Sequence, residues 1–223
     1  MTEKLLSAEI ADQVKDVFAQ LDKPVKVIFF GKQKDCEYCA DTLQLIQEVA
    51  DLSHKVELDI VDVDINPGVA VQYKMDKTPG LVIAALEGDQ VIDYGIRFAG
   101  IPSGHEFSSL IQDLLLVSGR DSGLGEKTKK FLGELNQPVL LQVFVTPTCP
   151  YCPRAVVLAH QMALESPWVE AEMVEAIEFP ELSDRFGVSG VPQTTINSGK
   201  GTVVGAVPED HLVAEIRAAL NRA

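Results

Sequence analysis

The fold is decided by the short sequence C-P-Y-C at residues 149–152, together with its counterpart C-E-Y-C at residues 36–39. These two C-x-x-C pairs contain all four cysteines of the chain. Residue 149 lies 113 positions after residue 36, and Pro192 lies 113 positions after Pro79. Two thiol pairs that repeat in register with two prolines indicate a duplicated redox domain.

The composition sets limits on the kind of protein. The chain has 223 residues, 46% of them hydrophobic, which suits two packed domains of roughly 100 residues each. Its formal net charge of −14 argues against binding to nucleic acid, because phosphate contacts need clustered Lys and Arg. No apolar run approaches the ~18 residues of a membrane span, and the first residues do not resemble a secretory signal. We therefore expect a cytoplasmic protein with no nucleic-acid or membrane partner.

The same order of elements is predicted in both halves of the chain. Each half begins with a helix and a strand, continues with a helix that opens at the C-x-x-C pair, and ends with a strand, a short helix, a hairpin and a closing helix. The strands are predicted at residues 25–30, 56–65, 81–86, 91–94, 139–145, 169–174, 194–196 and 202–204. Residues 118–123 have the weakest pattern, so we place two domains at residues 1–119 and 120–223. The alternation predicts a small mixed sheet with helices on its faces.

The residues that carry the chemistry also carry a family resemblance. Each half resembles a thioredoxin fold, with a C-x-x-C pair at a helix start and T-P (78–79) or V-P (191–192) before a hairpin. The C-P-Y-C sequence is similar to the glutaredoxin motif. Two such units in one chain resemble the protein disulfide oxidoreductases of thermophilic prokaryotes. The expected fold class is therefore α/β, with two tandem thioredoxin-like domains, each a small mixed sheet flanked by helices.

The positions of the cysteines suggest their roles. Disulfide exchange begins when a thiolate attacks a sulfur atom, and a free cysteine is only slightly ionised at neutral pH. A helix start carries unpaired N–H groups and a partial positive charge, which stabilise a thiolate. We therefore expect Cys36 and Cys149 to be the nucleophiles. Cys39 and Cys152, one turn further on, would attack the mixed disulfide and release the product.

The resemblance implies further site residues. It implies that Pro79 and Pro192 each follow a cis peptide bond and pack beside the sulfurs. It also implies that Thr78 and Val191 present backbone groups to an extended substrate. Tyr38 and Tyr151, inside the two pairs, are interpreted either as helix-surface residues or as substrate contacts.

The two sites are predicted to differ in reactivity. Acidic residues surround the first pair (Asp35, Glu37 and Asp41), and nearby anions raise the pKa of a thiol. No acidic residue lies between Thr146 and His160 around the second pair. We therefore predict that Cys149 has a lower thiol pKa than Cys36.

Two less specific interpretations compete with redox chemistry. The four cysteines could form one Cys₄ zinc site, but 109 residues lie between Cys39 and Cys149, so we expect no metal site. A cysteine–histidine hydrolase would need a histidine close to its nucleophile. His160 lies ~12 Å along a helix from Cys152, so it is predicted to be a surface or packing residue. Trp168 is assigned to the core.

These patterns together predict a cytoplasmic dithiol–disulfide oxidoreductase that reduces protein disulfides and could also form or isomerise them. No bound cofactor is expected beyond the redox-active disulfides. By resemblance, electrons would come from a thioredoxin reductase-like flavoprotein, with NADPH upstream, or from glutathione. One alternative is an electron carrier to a peroxidase such as a peroxiredoxin, by similarity to the alkyl hydroperoxide reductase flavoprotein. Another alternative is a peptide-binding or chaperone module without catalysis.

Overall fold

The computed structural model describes residues 4–222, so the outermost residues of the two predicted domains, 1–3 and 223, lie outside the described part. The first repeat contains α1 (Ala8–Phe18), β1 (Val25–Gly31), α2 (Cys39–Ala50), β2 (Val56–Asp62), α3 (Pro67–Gln72), β3 (Gly80–Glu87), β4 (Gln90–Ala99) and α4 (Glu106–Gly119). The second repeat contains α5 (Glu126–Gly133), β5 (Val139–Val145), α6 (Cys152–Glu165), β6 (Val169–Glu175), α7 (Pro180–Arg185), β7 (Gln193–Ile196), β8 (Gly201–Val204) and α8 (Glu209–Leu220).

The predicted helices and strands are present, and most of their ends fall within three residues of the prediction. Local signals set several of these ends. Ser7 caps α1 by accepting a hydrogen bond from the Ile10 backbone N–H. Pro67 and Pro180 stand in the first turns of α3 and α7, where a missing N–H costs no helical hydrogen bond.

The two repeats join edge to edge into one eight-stranded sheet with the order β2-β1-β3-β4-β6-β5-β7-β8. The junction is a parallel pairing of β4 with β6, in which Ile96 lies opposite Ala171 and Ala99 opposite Val174. Strand β4 extends to Ala99, beyond the predicted residues 91–94, because residues 96–99 pair with β3 on one side and with β6 on the other. Since β1, β4, β6 and β5 run parallel, their carboxyl ends lie at the same edge of the sheet.

The core is unequally divided between the two faces of the sheet. One face carries a continuous apolar cluster that includes residues of α2, α4, α6 and α8 and therefore spans both repeats. The opposite face carries two smaller clusters, under α3 and under α7. The alternation along β1 shows the division, because Val27 and Phe29 face the large cluster whereas Ile28 and Phe30 face the small one.

A buried polar contact ties the two repeats together inside the large core. His160 on α6 and Asp113 on α4 are both fully buried, and 2.6 Å separates Nδ1 of the imidazole from Oδ2 of the carboxyl. The sequence predicted that His160 is either a surface residue or a packing residue. The structure shows a packing residue, with Asp113 as its polar partner. The assignment of Trp168 to the core was wrong: its side chain is 43% exposed, because it lies where β6 begins, at the edge of the sheet away from the cysteines.

Candidate active site

The first C-x-x-C pair lies where β1 ends and α2 begins. Cys36 is partly exposed and Cys39 is buried, and the two form a disulfide with their Cα atoms 5.4 Å apart. The helix itself begins at Cys39, so Cys36 lies in the turn that leads into α2 rather than in its first turn. The Lys32 backbone N–H donates a hydrogen bond of 3.4 Å to the Cys39 sulfur. Such a donor favours the thiolate form of the second cysteine after reduction.

The second pair repeats this arrangement at the start of α6. Cys149 and Cys152 form a disulfide with a Cα–Cα distance of 5.5 Å. Cys152 is completely buried and Cys149 is 7% exposed, so this pair is less accessible than the first. The Cys149 backbone N–H donates to the Thr146 carbonyl at 3.1 Å, which forms the turn before the helix. Tyr151, between the two cysteines, is 64% exposed, whereas Tyr38 is only partly exposed.

The sheet places a cis-proline segment beside each pair. The Thr78–Pro79 and Val191–Pro192 peptide bonds are both cis. Pro79 directly precedes Gly80, which pairs with Phe30 at the end of β1. In the same way Gln193, which follows Pro192, pairs with Phe144 near the end of β5. Each proline therefore lies where the chain turns toward its cysteines.

A glycine connects each cis-proline to the neighbouring strand. The Gly100 N–H donates to the Pro79 carbonyl at 2.9 Å, and the Gly205 N–H donates to the Pro192 carbonyl at 2.8 Å. Both glycines have positive φ angles, 95° and 90°, which residues with a side chain rarely adopt. The two sites are thus built from the same backbone connections.

Both sites open at the same edge of the sheet, but they are not in contact. Four strand spacings of ~4.8 Å separate β1 from β5, so the strands that lead to the two pairs are about 19 Å apart. Thiol–disulfide exchange requires direct contact between sulfurs. In this structure the sulfurs of each pair are bonded to each other and not to those of the other pair.

The electrostatic surroundings of the two sites differ. Glu37 raises the pKa of the Tyr38 phenol above its usual value, and the carboxylates of Glu178 and Glu175 add to this effect. Both of these glutamates come from the second repeat. Burial raises the pKa of Glu178 to about 7, although a hydrogen bond from the Ile101 N–H opposes the shift. The sequence could not reveal these acids, because they reach the first site through the junction between β4 and β6.

Another buried acid lies close to the second site. The His105 N–H donates to the carbonyl of Pro147 at 2.9 Å, and Pro147 lies two residues before Cys149. Glu106, which follows His105, is the first residue of α4. Glu106 is 1% exposed, accepts a hydrogen bond from the Ser109 hydroxyl at 2.6 Å, and has a second carboxyl oxygen with no partner among residues 4–222. Burial raises the pKa of Glu106 to about 7.

This shift predicts a pH-dependent stability. The Glu106 pKa rises from a usual 4.5 to about 7 on folding, so the stability that the protonated carboxyl contributes is complete below pH 4.5 and is lost as the pH rises through about 7. We expect Glu106→Gln to be more stable than the wild type by about 3 kcal/mol above pH ~8 and equal to it below pH ~4. Denaturant unfolding of both proteins across this range measures the difference, and a constant difference would contradict the prediction.

No metal site accompanies the thiols in the described part of the chain. Between residues 4 and 222 no group of three or more His, Cys, Asp or Glu side chains is arranged to hold a metal ion, and the four cysteines are paired as disulfides. None of the helices described over the same residues has the length and apolar character needed to cross a bilayer.

Comparison with known proteins agrees with this geometry. The thioredoxin domain family model matches residues 139–218. A protein disulfide oxidoreductase from Aeropyrum pernix K1 superposes with a TM-score of 0.87 and 31% sequence identity, over 97% of this chain and 94% of that one. The chain belongs to the protein disulfide oxidoreductases. The expected fold class is thereby confirmed, and this protein disulfide oxidoreductase has two C-x-x-C pairs, each closed as a disulfide.

The protein disulfide oxidoreductase also has relatives of another kind. The alkyl hydroperoxide reductase AhpF of Enterococcus faecalis V583 superposes with a TM-score of 0.87 and 29% identity, over 96% of this chain and all of that one. A NADH dehydrogenase of Bacillus subtilis is 24% identical over 95% of this chain. The AhpF of Staphylococcus aureus is 25% identical over 86% of it. The chain spans only 38% and 34% of the length of these two curated relatives.

Proposed function

We propose that the protein reduces disulfide bonds of protein substrates by thiol–disulfide exchange at both C-x-x-C sites. One observation carries the proposal: each pair is a disulfide at a helix start, beside a cis-proline segment, at a common edge of the sheet. We propose the division between the two units at residues 119 and 120, where α4 ends and Arg120 takes a left-handed conformation. The reducing cytoplasm is the proposed location, because every cysteine is used in a redox pair.

The proposed cycle assigns a role to each cysteine. The Cys36 thiolate attacks a substrate disulfide, a bond forms between the two sulfurs, and the substrate thiolate that leaves takes up a proton. Cys39 then loses its proton and attacks the Cys36 sulfur, so that the second substrate thiol is released and the Cys36–Cys39 disulfide forms. The substrate gains two electrons and two protons, and the pair becomes oxidised. Cys149 and Cys152 repeat these steps at the second site.

Thr78 and Val191 are the proposed backbone contacts for substrate, since each directly precedes the cis-proline beside its pair. Tyr151 is proposed as a further contact at the second site because its ring is exposed between the two cysteines. Tyr38 has the corresponding place at the first site. The reduced pairs are restored either by a thioredoxin reductase-like flavoprotein that draws on NADPH or by two molecules of glutathione per disulfide.

The reduction of insulin tests this function. We expect the wild type to reduce insulin in the presence of a dithiol donor, and the variant with all four cysteines changed to serine to have no activity above the uncatalysed rate. Variants that keep only one pair assign activity to each site. If the four-serine variant still accelerated the reaction, the alternative of a binding or chaperone module without thiol chemistry would be favoured.

A second candidate is an electron relay to a peroxidase. The observation that favours it is the similarity over nearly the whole chain to the alkyl hydroperoxide reductase AhpF. In this role the substrate disulfide would belong to a peroxiredoxin that is re-reduced after each turnover. Peroxide consumption in a mixture of reductase, this protein and a peroxiredoxin would reveal the relay, and single-pair variants would show which site serves it.

The two nucleophiles are predicted to differ in acidity. The first site faces Glu37 and the second repeat's Glu175 and Glu178, and these anions oppose a thiolate on Cys36. We therefore expect a lower thiol pKa for Cys149 than for Cys36. Ultraviolet thiolate absorbance of reduced single-pair variants, followed against pH, measures both values. A lower midpoint for Cys36 would contradict the prediction.

A further inference from the structure

A cleft of about 510 Å³ opens beside the first site, at the junction of the two repeats. Lys77 of the first repeat forms one wall, and Phe179, Leu182 and Arg185, on or next to α7 of the second repeat, line the other. Its volume lies in the range of ~300–1,000 Å³ that is usual for ligand clefts. The wall formed by α7 combines the apolar Phe179, Pro180 and Leu182 with three charged residues, Glu178, Glu181 and Arg185, of which Glu181 and Arg185 are exposed.

The cleft continues from the proposed substrate edge of the first site. Lys77 directly precedes Thr78 and Pro79, so the chain that forms one wall is the same chain that faces the Cys36–Cys39 pair. A substrate strand that pairs with the backbone at Thr78 would therefore pass into the cleft within one or two residues, at ~3.3 Å per residue.

Contacts across the junction fix this wall in place. The Lys77 ammonium lies 3.0 Å from a Glu172 carboxyl oxygen on β6, and the two side chains are only 13% and 8% exposed. Gln142 donates to the other Glu172 oxygen at 2.8 Å, so the carboxylate is held from both sides. The Glu178 carboxyl accepts a hydrogen bond of 2.7 Å from the Ile101 N–H, next to the glycine that binds the Pro79 carbonyl.

The surface beside the second site is different. A cleft of about 500 Å³ opens near the start of α6, and its lining residues all belong to the second repeat: Arg154, Leu158 and residues 207–210. Gly190 stands at the position of the second repeat that corresponds to Lys77, 113 positions later, and it has no side chain to form a wall. Strand β8 is the last strand of the described sheet on the side away from the junction. No further strand pairs with β8 in the described residues. The two sites therefore differ in the surface that surrounds them, although their cysteine geometry is alike.

We propose that this cleft receives the segment of a protein substrate next to the cysteine that bonds to Cys36, with a bulky apolar side chain against Phe179 and Leu182. The inference rests on the proposed reduction of protein disulfides at the first site. The occupant is an extended peptide because the cleft is continuous with a backbone edge. Through this contact the second repeat increases the affinity of the first site for proteins over small disulfides.

Leu182→Asn in a protein that keeps only the first pair (Cys149→Ser/Cys152→Ser) tests the inference. We expect its KM for insulin to rise about tenfold, as loss of an apolar contact in a binding pocket does, with little change in kcat. Its rate with the small disulfide of 2-mercaptoethanol should not change. Val69→Asn is the matched control, because Val69 occupies the corresponding position of α3 in the first repeat, away from the junction.

The outcomes separate this inference from the proposed function. An unchanged KM for insulin would overturn the inference. An equal loss of activity with insulin and with the small disulfide would overturn it as well. If the protein with only the first pair reduced neither disulfide, the proposed function of that site would fail as well. If Leu182→Asn does not fold, a second test uses the variant Cys39→Ser of the protein that keeps only the first pair. Insulin is trapped on Cys36 of this variant as a mixed disulfide, and backbone hydrogen exchange is compared with and without insulin. Residues 179–185 should gain protection and residues 66–72 should not; equal exchange in both segments would overturn the inference.

Discussion

The variant Cys39→Ser, in a protein that retains only the first pair, is expected to accumulate a covalent mixed disulfide with its substrate. Without the Cys39 thiol nothing displaces the substrate from Cys36, so turnover should fall by about 10³-fold or more. Cys36→Ser in the same background should lose turnover to the same extent but trap no substrate, because Cys39 lies inside the first turn of α2 and is less exposed than Cys36. Intact-mass spectrometry after reaction with insulin distinguishes the two variants.

The same pair of substitutions at the second site provides an internal control. Cys152→Ser should trap substrate on Cys149, and Cys149→Ser should not, since Cys152 is completely buried. If substrate were instead trapped on Cys39 or Cys152, the proposed division into attacking and resolving cysteines would be reversed. Equal trapping by both members of a pair would mean that burial does not decide which sulfur is attacked.

The variant Asp113→Ala is expected to have the largest effect on stability. The Asp113 carboxyl is the polar partner of the His160 imidazole, and both side chains are fully buried between α4 and α6. Removing the carboxyl leaves the imidazole buried without a partner, which costs about 3 kcal/mol or more. The pKa of Asp113 is raised by its burial, and the nearby His160 opposes part of this shift.

Denaturant unfolding at neutral pH measures this cost, and Asp113→Asn is the matched control. Asparagine keeps an oxygen that can accept the imidazole N–H, so its free energy of unfolding should fall by less than that of the alanine variant. An alanine variant that loses less than about 1 kcal/mol would show that the buried pair does not hold the two repeats together.

Local features of the sequence were sufficient to predict the elements of the fold. The offset of 113 positions aligned the two repeats, and Ser7, Pro67 and Pro180 marked helix starts through their own backbone chemistry. The four cysteines and the two prolines were found through the same offset, whereas the cis peptide bonds before Pro79 and Pro192 were expected from the family resemblance. The β4 extension was not predicted, since residues 96–99 pair with β3 only beyond a register shift at Ile83/Ala84 and pair with β6 of the other repeat.

The contacts between repeats could not be predicted from the sequence. Lys77 and Glu172 are 95 positions apart, and neither forms part of a motif. The Asp113–His160 contact joins helices of different repeats, and periodicity alone makes His160 one more residue of a helix. These contacts depend on how the two repeats join, which is a property of the tertiary structure.

The most direct test of the proposed chemistry is a redox titration of each pair in a variant that lacks the other. After equilibration in buffers of defined potential, the free thiols are alkylated and counted by intact mass. We predict a reversible two-electron transition at each pair, with two thiols appearing together, and a difference of ~30 mV between the pairs would correspond to ~1.4 kcal/mol. A pair that stays oxidised in every buffer that leaves the protein folded, or thiols that bind zinc on reduction, would contradict it.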